Sequence, residues 1–364
     1  MLIFGSPRRY IQGVDARHRL GEELARLGPS AILLADKDVT AIIGDDCAAS
    51  CAAAGVALRA VTFAGEVTWA EVDRLSALCA TDTPAIVVAA GGGKTIDTGK
   101  LLSRKLGAKM VTLPTVASND SPTSHIIVVY DDSHKLIGVE RLPTNPELVL
   151  VDTAIIARAP SILLSAGIGD AIVKRFEVEQ CYNRRGTNMF GGSPPPLTAL
   201  ALARTCYDTI RAHSVAALAA VRRGVPDEAL EHVVEASVLM SGLAFESGGL
   251  SICHAMTRGL SAVQGPAQAL HGLQVAYGLL IQLELEQREP AFIEDMRGFF
   301  RATGLPVSLA ELGFTGGSNE IGLIADLTAQ APHMKHFERA LSADDLVMAI
   351  RAVEAQAGSA GAAP

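Results

Sequence analysis

A rhythm constrains this chain more than any single motif does. Over the first ~160 residues, short apolar runs alternate with amphipathic stretches, the order expected when crossover helices join parallel strands. Residues 31–35 (Ala-Ile-Leu-Leu-Ala) read as a buried strand ending at Asp36, and residues 56–61 as a second, followed by a helical pattern from Thr68 to Cys79. A third strand, residues 85–90, runs into Gly91-Gly92-Gly93, and a helix is expected over 95–106. Residues 110–113 make a further strand, residues 125–130 and 136–140 a hairpin about Asp131-Asp132-Ser133, and residues 148–151 complete the pattern. The fold class that follows is α/β, with an N-terminal doubly wound, Rossmann-like sheet.

The texture changes near Pro160. Beyond it, Ala- and Leu-rich stretches carry apolar residues every three or four positions, as in helices packed on helices. Clusters such as Gly191-Gly192-Ser193-Pro194-Pro195-Pro196 and Gly265-Pro266 punctuate them. A length of 364 residues also exceeds one core of ~150 residues. The expected division is an α/β domain over residues 1–159 and an all-helical domain over 160–364, with the site in the cleft between. Residues 358–364 lack apolar periodicity and are expected as a frayed tail.

Composition removes several function classes. Lys and Arg number 31 against 39 Asp and Glu, a net charge of −8 that repels phosphate backbones, so nucleic acid is excluded as a partner. The six cysteines fit neither a zinc knuckle nor a disulfide framework and read as reduced, cytosolic thiols. The first residues place their charges after the apolar stretch, the wrong order for a secretory signal. Residues 259–283 contain no Asp, Glu, Lys or Arg, but Pro266, His271 and several glutamines interrupt them, so a buried helical region is expected and no membrane span. The expectation is a soluble, cytoplasmic protein.

Three segments can carry chemistry. Three glycines followed by Lys94-Thr95-Ile96-Asp97 at a helix start let a phosphate approach backbone N–H groups at the positive end of the helix. The segment is not a P-loop, since Val88 stands where the first glycine belongs, and Ile96 breaks G-x-G-x-x-G; a plain Gly-rich connection is the competing reading. Asp36, at the end of a strand, can accept hydrogen bonds from both ribose hydroxyls of an adenosine and repel a 2′-phosphate, which favours NAD, or it can simply cap a helix. Asp170, His254 and His271 together suit a divalent metal with an open coordination position. Each histidine alone reads more readily as a satisfied buried residue than as a ligand, and Asp170 reads also as a cap of a helix through Glu179. His333 and His336 are expected as a surface pair. No G-x-S-x-G elbow occurs, and no cysteine has a nucleophile's surroundings.

Taken together, these segments resemble the glycerol dehydrogenases of the metal-dependent, iron-containing alcohol dehydrogenase superfamily. The likeness starts at Ser6-Pro7-Arg8-Arg9-Tyr10-Ile11-Gln12-Gly13, continues through Gly91 to Lys100, and is sharpest at Pro114-Thr115-Val116-Ala117-Ser118-Asn119-Asp120-Ser121-Pro122-Thr123-Ser124. It extends through Ala166-Gly167-Ile168-Gly169-Asp170-Ala171 to His254-Ala255 and His271-Gly272. The resemblance implies that Asp36 holds the adenosine ribose, and that Gly92, Gly93 and Lys94 hold the pyrophosphate. It gives the rest of the dinucleotide to Thr115, Ser118, Ser124, Ile126 and Tyr130, and has Asp120 touch the substrate. Asp170, His254 and His271 fall on the family's metal ligands, for Zn²⁺ with Fe²⁺ as the alternative. It also implies a homo-oligomer, often an octamer.

The implied reaction is NAD-dependent oxidation of glycerol, or a related small vicinal diol, to the ketone. A rival reading, oxidation of 2-hydroxy acids, comes from departures around the substrate. Met256, Thr257 and Arg258 follow His254-Ala255 where the family has an apolar residue, a second His and an Asn, and a guanidinium can grip a carboxylate. The competing expectation for Arg258 is a salt bridge to a nearby acid or a partner subunit. His125 also replaces a small residue. A non-catalytic nucleotide- or metal-binding regulator is the reading from another class.

Overall fold

The computed structural model describes residues 1–131 and 136–360, which divide into two compact units. One comprises Gly5–Pro160 with Ala219–Gly242, and the other Met1–Phe4, Ser161–Leu218 and Leu243–Pro364.

The sheet unit holds strands β1 (Tyr10–Gly13), β2 (Ser30–Ala35), β3 (Ala57–Thr62), β4 (Ile86–Gly91), β5 (Lys109–Pro114), β6 (Ile126–Tyr130), β7 (Leu136–Arg141) and β8 (Leu148–Asp152). Six of them form one parallel sheet in the order β1-β8-β5-β4-β2-β3, and β6 pairs antiparallel with β7 as the expected hairpin. Residues 132–135 of that hairpin lie outside the described residues. The crossovers are α1 (Leu20–Ala25), α2 (Lys37–Ala53), α3 (Trp69–Leu78) and α4 (Gly93–Leu106), and α5 (Thr153–Ile156) follows the last strand. The period of two along β2 builds both cores: Ala31, Leu33 and Ala35 pack with Ile43, Cys47 and Cys51 of α2. On the other face, Ile32 and Leu34 pack with Val72 and Leu75 of α3 and Ile96 and Leu101 of α4. Helices therefore cover both faces, the doubly wound arrangement expected from the alternation. Strand β1 was not among the expected elements. Its four residues are only half-buried and gain their ladder bonds from β8.

The remaining helices are α6 (Ser161–Ile172), α7 (Lys174–Asn183), α8 (Leu197–Arg223), α9 (Glu228–Glu235), α10 (Ser241–Gly248), α11 (Ile252–Leu260), α12 (His271–Leu285), α13 (Pro290–Thr303), α14 (Ser318–Ala329) and α15 (Ala343–Ala360). A wide π-helical turn, Ala236–Met240, joins α9 to α10. In the helical unit α12 packs on α6, α11 and α15, and α11 also on α14. Residues 259–283 split between the end of α11, a short turn at Pro266–Gln268 and α12, and among the described residues no single helix is long and apolar enough to cross a membrane. The expected frayed end needs correcting, because α15 runs through Ala360; once packing has nucleated a helix, each further residue adds one bond. Residues 361–364 lie outside the described residues.

All six cysteines are free and buried. Burial, together with the neighbouring Cys51 and Asp46, pushes the Cys47 thiol up to about 12, and burial alone takes Cys51 to about 11. These thiols stay protonated and inert, as expected of reduced core cysteines.

Candidate active site

From β2 the chain steps outward to β3, whereas from β4 it steps the other way to β5, so the sheet has its switch point between β4 and β2. Ligands of open α/β sheets bind beyond the carboxyl ends of the strands at such a point. Asp36 ends β2, and Gly91-Gly92-Gly93 joins β4 to α4, so both predicted cofactor segments flank that crevice. Thr115 follows β5 on the neighbouring strand, its N–H donating to Gly91 O at 3.2 Å.

The glycines are required by space and backbone. Gly91 has φ of 153°, and a Cβ there would come within 2.6 Å of Thr95 Oγ1; at Gly93 a Cβ would meet Asn119 Nδ2 at 2.7 Å. Gly92 occupies the cap position of α4 without a side chain, which leaves first-turn N–H groups to a ligand. Lys94 Nζ pairs with Glu66 Oε2 at 2.7 Å on the surface. Asp36 acts as the helix cap that its position allowed, Oδ1 accepting from Val39 N at 2.8 Å. A carboxylate has a second oxygen, so capping and ribose binding are compatible.

The segment carrying the other predicted residues is pinned from below by Lys100, which is fully buried on α4. Its ammonium donates to Ile126 O (2.7 Å), Ser121 O (2.8 Å), Ser121 Oγ (3.0 Å), Asp97 Oδ1 (3.1 Å) and Ser124 Oγ (3.4 Å). Asp97 in turn accepts from Ser121 Oγ at 2.6 Å and Val128 N at 2.9 Å. Ser124 and the Ile126 carbonyl are thus turned inward onto Lys100, while Ser118 is half-buried. Tyr130 lies on β6, its phenol pushed up to about 12 by burial and by the charges of Asp97 and Glu66. Asp120 is buried and accepts a hydrogen bond from Ser241 Oγ at 2.7 Å. His125 is buried as well, and its carbonyl accepts from Leu142 N.

In the helical unit, Asp170 on α6, His254 on α11 and His271 at the start of α12 bring one ligand atom each within 4.8 Å of the others. Asp170 lies inside α6, so the capping alternative falls. Glycines let the backbones approach: a Cβ at Gly272 would run into the Ala166 carbonyl, and one at Gly169 into the carbonyl of Gly272. Neither residue admits a side chain, and each is next to a proposed ligand.

Two charged residues not anticipated from sequence complete the cluster. Glu177 on α7, fully buried, accepts His254 Nδ1–H at 2.6 Å, Ser251 N at 2.8 Å and His254 N at 3.0 Å. The bond to Nδ1 leaves Nε2 facing Asp170, 3.4 Å from Oδ1. Lys174 Nζ, also fully buried, sits 2.6 Å from Asp170 Oδ1 and 3.2 Å from His254 Nε2. Charge near Asp170 recurs four and seven residues on, at Lys174 and Glu177, in an otherwise buried helical stretch; that spacing was the sequence signal available.

Burial and neighbouring charges act on each group differently. Burial opposes ionisation of Asp170, but Lys174 and the two imidazoles outweigh it and hold the carboxyl below its usual range. His271 is exposed at the start of α12, yet the protein around its ring lowers it to about 4 by desolvation, which favours the neutral imidazole. For His254 burial acts in the same direction, yet Glu177 and Asp170 outweigh it and raise the group. A carboxylate and two imidazoles with converging donors, one of them fixed in tautomer, fit a divalent metal of borderline character.

Arg258 is exposed on α11 and donates to Gln330 O at 3.2 Å, at the C-terminal end of α14. It serves a helix terminus, and among the described residues no ion pair to Arg258 occurs. The expectation for His333 and His336 is corrected: His336 is buried, its Nδ1 bonded to Leu250 O at 2.6 Å and its Nε2 accepting from Thr187 N at 3.3 Å. Those long-range backbone partners make a core position suitable for imidazole. His333 is half-buried, its ring centre 6.3 Å from that of His336.

With this geometry in hand, the comparisons are consistent with one another. Residues 7–153 match the model of the iron-containing alcohol dehydrogenases. A glycerol dehydrogenase of Pseudomonas putida is 43% identical over 85% of each chain, and one of Thermotoga maritima 39% identical over 96% of this chain and 95% of that one. The crystal structure of glycerol dehydrogenase from Schizosaccharomyces pombe superposes with a TM-score of 0.94 at 32% identity, covering 100% of this chain and 94% of the other.

Proposed function

This chain belongs to the iron-containing alcohol dehydrogenase family, and on that premise we propose that it oxidises glycerol, or a related small vicinal diol, to the ketone with NAD and one divalent metal. It is an oxidoreductase; for glycerol the products are dihydroxyacetone, NADH and a proton. The observation that carries the reading is the convergence of Asp170, His254 and His271 within 4.8 Å, with Glu177 bonded to His254 Nδ1.

Asp170, His254 through Nε2, and His271 would hold the metal. When bound, it supplies Lewis acidity that lowers the pKa of an alcohol hydroxyl, and NAD supplies the acceptor for hydride. Nitrogen and oxygen donors, and a two-electron transfer that leaves the metal unchanged, favour Zn²⁺ over Fe²⁺. Glu177 keeps the proton on His254 Nδ1 and orients the ring. On the sheet unit, Gly92, Gly93 and Lys94 would hold the pyrophosphate, and Asp36 the ribose hydroxyls. A 2′-phosphate ~4 Å from Asp36, at an effective dielectric of ~20, is repelled by about 4 kcal/mol per unit charge, which supports a preference for NAD over NADP. Thr115, Ser118, Ser124, Ile126 and Tyr130 would line the rest of the dinucleotide, and Asp120 would contact the polyol. The buried free cysteines support a reducing compartment, the cytoplasm. A homo-oligomer, with the octamer as its form, belongs to the same reading. The 2-hydroxy-acid alternative rested on Arg258, and its bond to Gln330 O gives that alternative no support.

The test is NADH formation across glycerol, 1,2-propanediol and lactate with Zn²⁺ present, alongside elemental analysis of the protein. Turnover of the diols, with metal content and turnover both lost in Asp170→Ala and His254→Ala, is the expected outcome. Stoichiometric metal in a His254→Ala/His271→Ala double variant overturns the metal assignment, and oxidation of lactate alone overturns the substrate class.

A further inference from the structure

We propose that Ser241 is a positioning residue for Asp120, delivered by the π-helical turn at Ala236–Met240; this rests on the reading above, in which Asp120 contacts the polyol. Ser241 Oγ donates to Asp120 Oδ2 at 2.7 Å, and Ser241 is fully buried. The turn makes one further contact with the same short segment, which also bonds internally. Val238 O accepts from Thr123 Oγ1 at 3.0 Å, and Thr123 Oγ1 also reaches Asp120 O at 3.3 Å. At Gly242 a Cβ would collide with Thr123 Oγ1 and stand 3.1 Å from Asp120 O. A π-turn carbonyl, a serine hydroxyl and a bare glycine, at positions 238, 241 and 242, are therefore fitted to residues 120–123.

The π-turn has a mechanical role in this. One wide turn inserts an extra residue into the helical register, which rotates everything after it by roughly 100° relative to an unbroken helix. In an unbroken α-helix from Glu228 onward, Ser241 would point elsewhere and the carboxylate of Asp120 would lose a charge-assisted bond. A π-turn costs hydrogen-bond quality and is retained where it re-aims a side chain. Here the side chain that it aims is a hydroxyl with no chemistry of its own in hydride transfer, bonded to the one carboxylate that the proposed function assigns to the substrate. Fixing one carboxylate oxygen sets the plane of the whole group, so a polyol hydroxyl meets a defined acceptor and binding does not have to order it.

The experiment uses the full-length, metal-loaded protein in the variants Ser241→Ala, Ser241→Thr, Asp120→Ala and Asp120→Ala/Ser241→Ala, each checked for fold by circular dichroism. Ser241→Ala is expected to lower kcat/KM for glycerol about ten- to a hundredfold, the worth of a hydrogen bond to a charged group, with KM for NAD unchanged. Ser241→Thr, which keeps the hydroxyl, should recover most of that loss. In the Asp120→Ala background, removing Ser241 should cost nothing further, since a positioning residue has nothing left to position. If Asp120→Ala leaves glycerol turnover intact, the assignment of Asp120 is overturned and this proposal with it. If Asp120→Ala is impaired but Ser241→Ala is not, or if the two losses multiply independently, the assignment of Asp120 stands and the proposal for Ser241 is overturned.

Discussion

Lys100→Met removes a fully buried ammonium while keeping the volume of the stem. In the parent protein the ammonium bonds to two backbone carbonyls, two hydroxyls and the Asp97 carboxylate at 2.7–3.4 Å. The variant leaves the Ile126 and Ser121 carbonyls without this donor and Asp97 with only Ser121 Oγ and Val128 N. Breaking a buried pair from one side costs about 3–5 kcal/mol, and an orphaned buried acceptor about 1–3 kcal/mol. These penalties overlap, so about 3–5 kcal/mol is the figure for the variant as a whole. For a unit of this size, each kcal/mol lowers the midpoint by about 2–4 °C, which predicts a fall of roughly 6–20 °C in Tm. Because the lost bonds anchor the segment with Ser121, Ser124 and Ile126, KM for NAD should rise as well. The assay is urea and thermal unfolding followed by circular dichroism, with Asp97→Asn/Lys100→Met alongside. The double variant no longer buries an unpaired charge and should recover about half of the loss. A Lys100→Met protein within ~0.5 kcal/mol of the parent, the scatter of neutral surface changes, would refute this account of the cluster.

Glu177→Gln should weaken metal affinity about ten- to a hundredfold, read by competition with a chromophoric chelator, because an amide holds the His254 tautomer less firmly than a carboxylate. Gly272→Ala should drive a methyl group into the Ala166 carbonyl, destabilise the helical unit by about 1–3 kcal/mol or more and deplete bound metal, as unfolding and elemental analysis would show. Burial holds His333 at about 4, with the charge of His254 adding to the shift, against its ordinary 6.5. The folded state therefore binds fewer protons than the unfolded one between these values, and stability falls as pH drops from 6.5 toward 4; His333→Gln should flatten that slope in urea titrations at stepped pH.

Much of the sheet unit was legible because its signals are local. Strand β2 alternates its partners with period two, β4 is a continuous apolar run, and the Gly91–Gly93 connection announces its own helix start. Strand β1 was not, since four half-buried residues carry no period and depend on β8, whose sequence lies far away. Likewise the amphipathic pattern of α9 says that one face is covered, but not that Ala219–Gly242 belongs with the sheet unit. The metal triad was nameable from residue type, but only the family resemblance favoured it over buried core residues, because three residues on three helices share no spacing rule. Glu177 and Ser241 escaped notice for the opposite reason: a buried Glu in a helix and a Ser between Met240 and Gly242 are ordinary until their partners, His254 and Asp120, are seen. His336 was misread because its partners are backbone atoms of Leu250 and Thr187, to which sequence pattern is blind.

The close seating of α6 against α12 has a bearing on how this site can change. Where two helices are spaced by interlocking side chains, a leucine exchanged for a valine shifts the axes a little, and a cluster carried on them drifts. Here the spacing beside Asp170 and His271 is set by peptide carbonyls against bare α-carbons at Gly169 and Gly272, so ordinary variation in the surrounding core has little leverage on the distance between the ligands. The pair behaves like a fixed caliper. Selection, or a designer, can therefore vary the pocket's walls and so its alcohol without detuning the ion's grip, whereas fitting an ion that demands a wider cage requires replacing a glycine and accepting the loss of the helix contact.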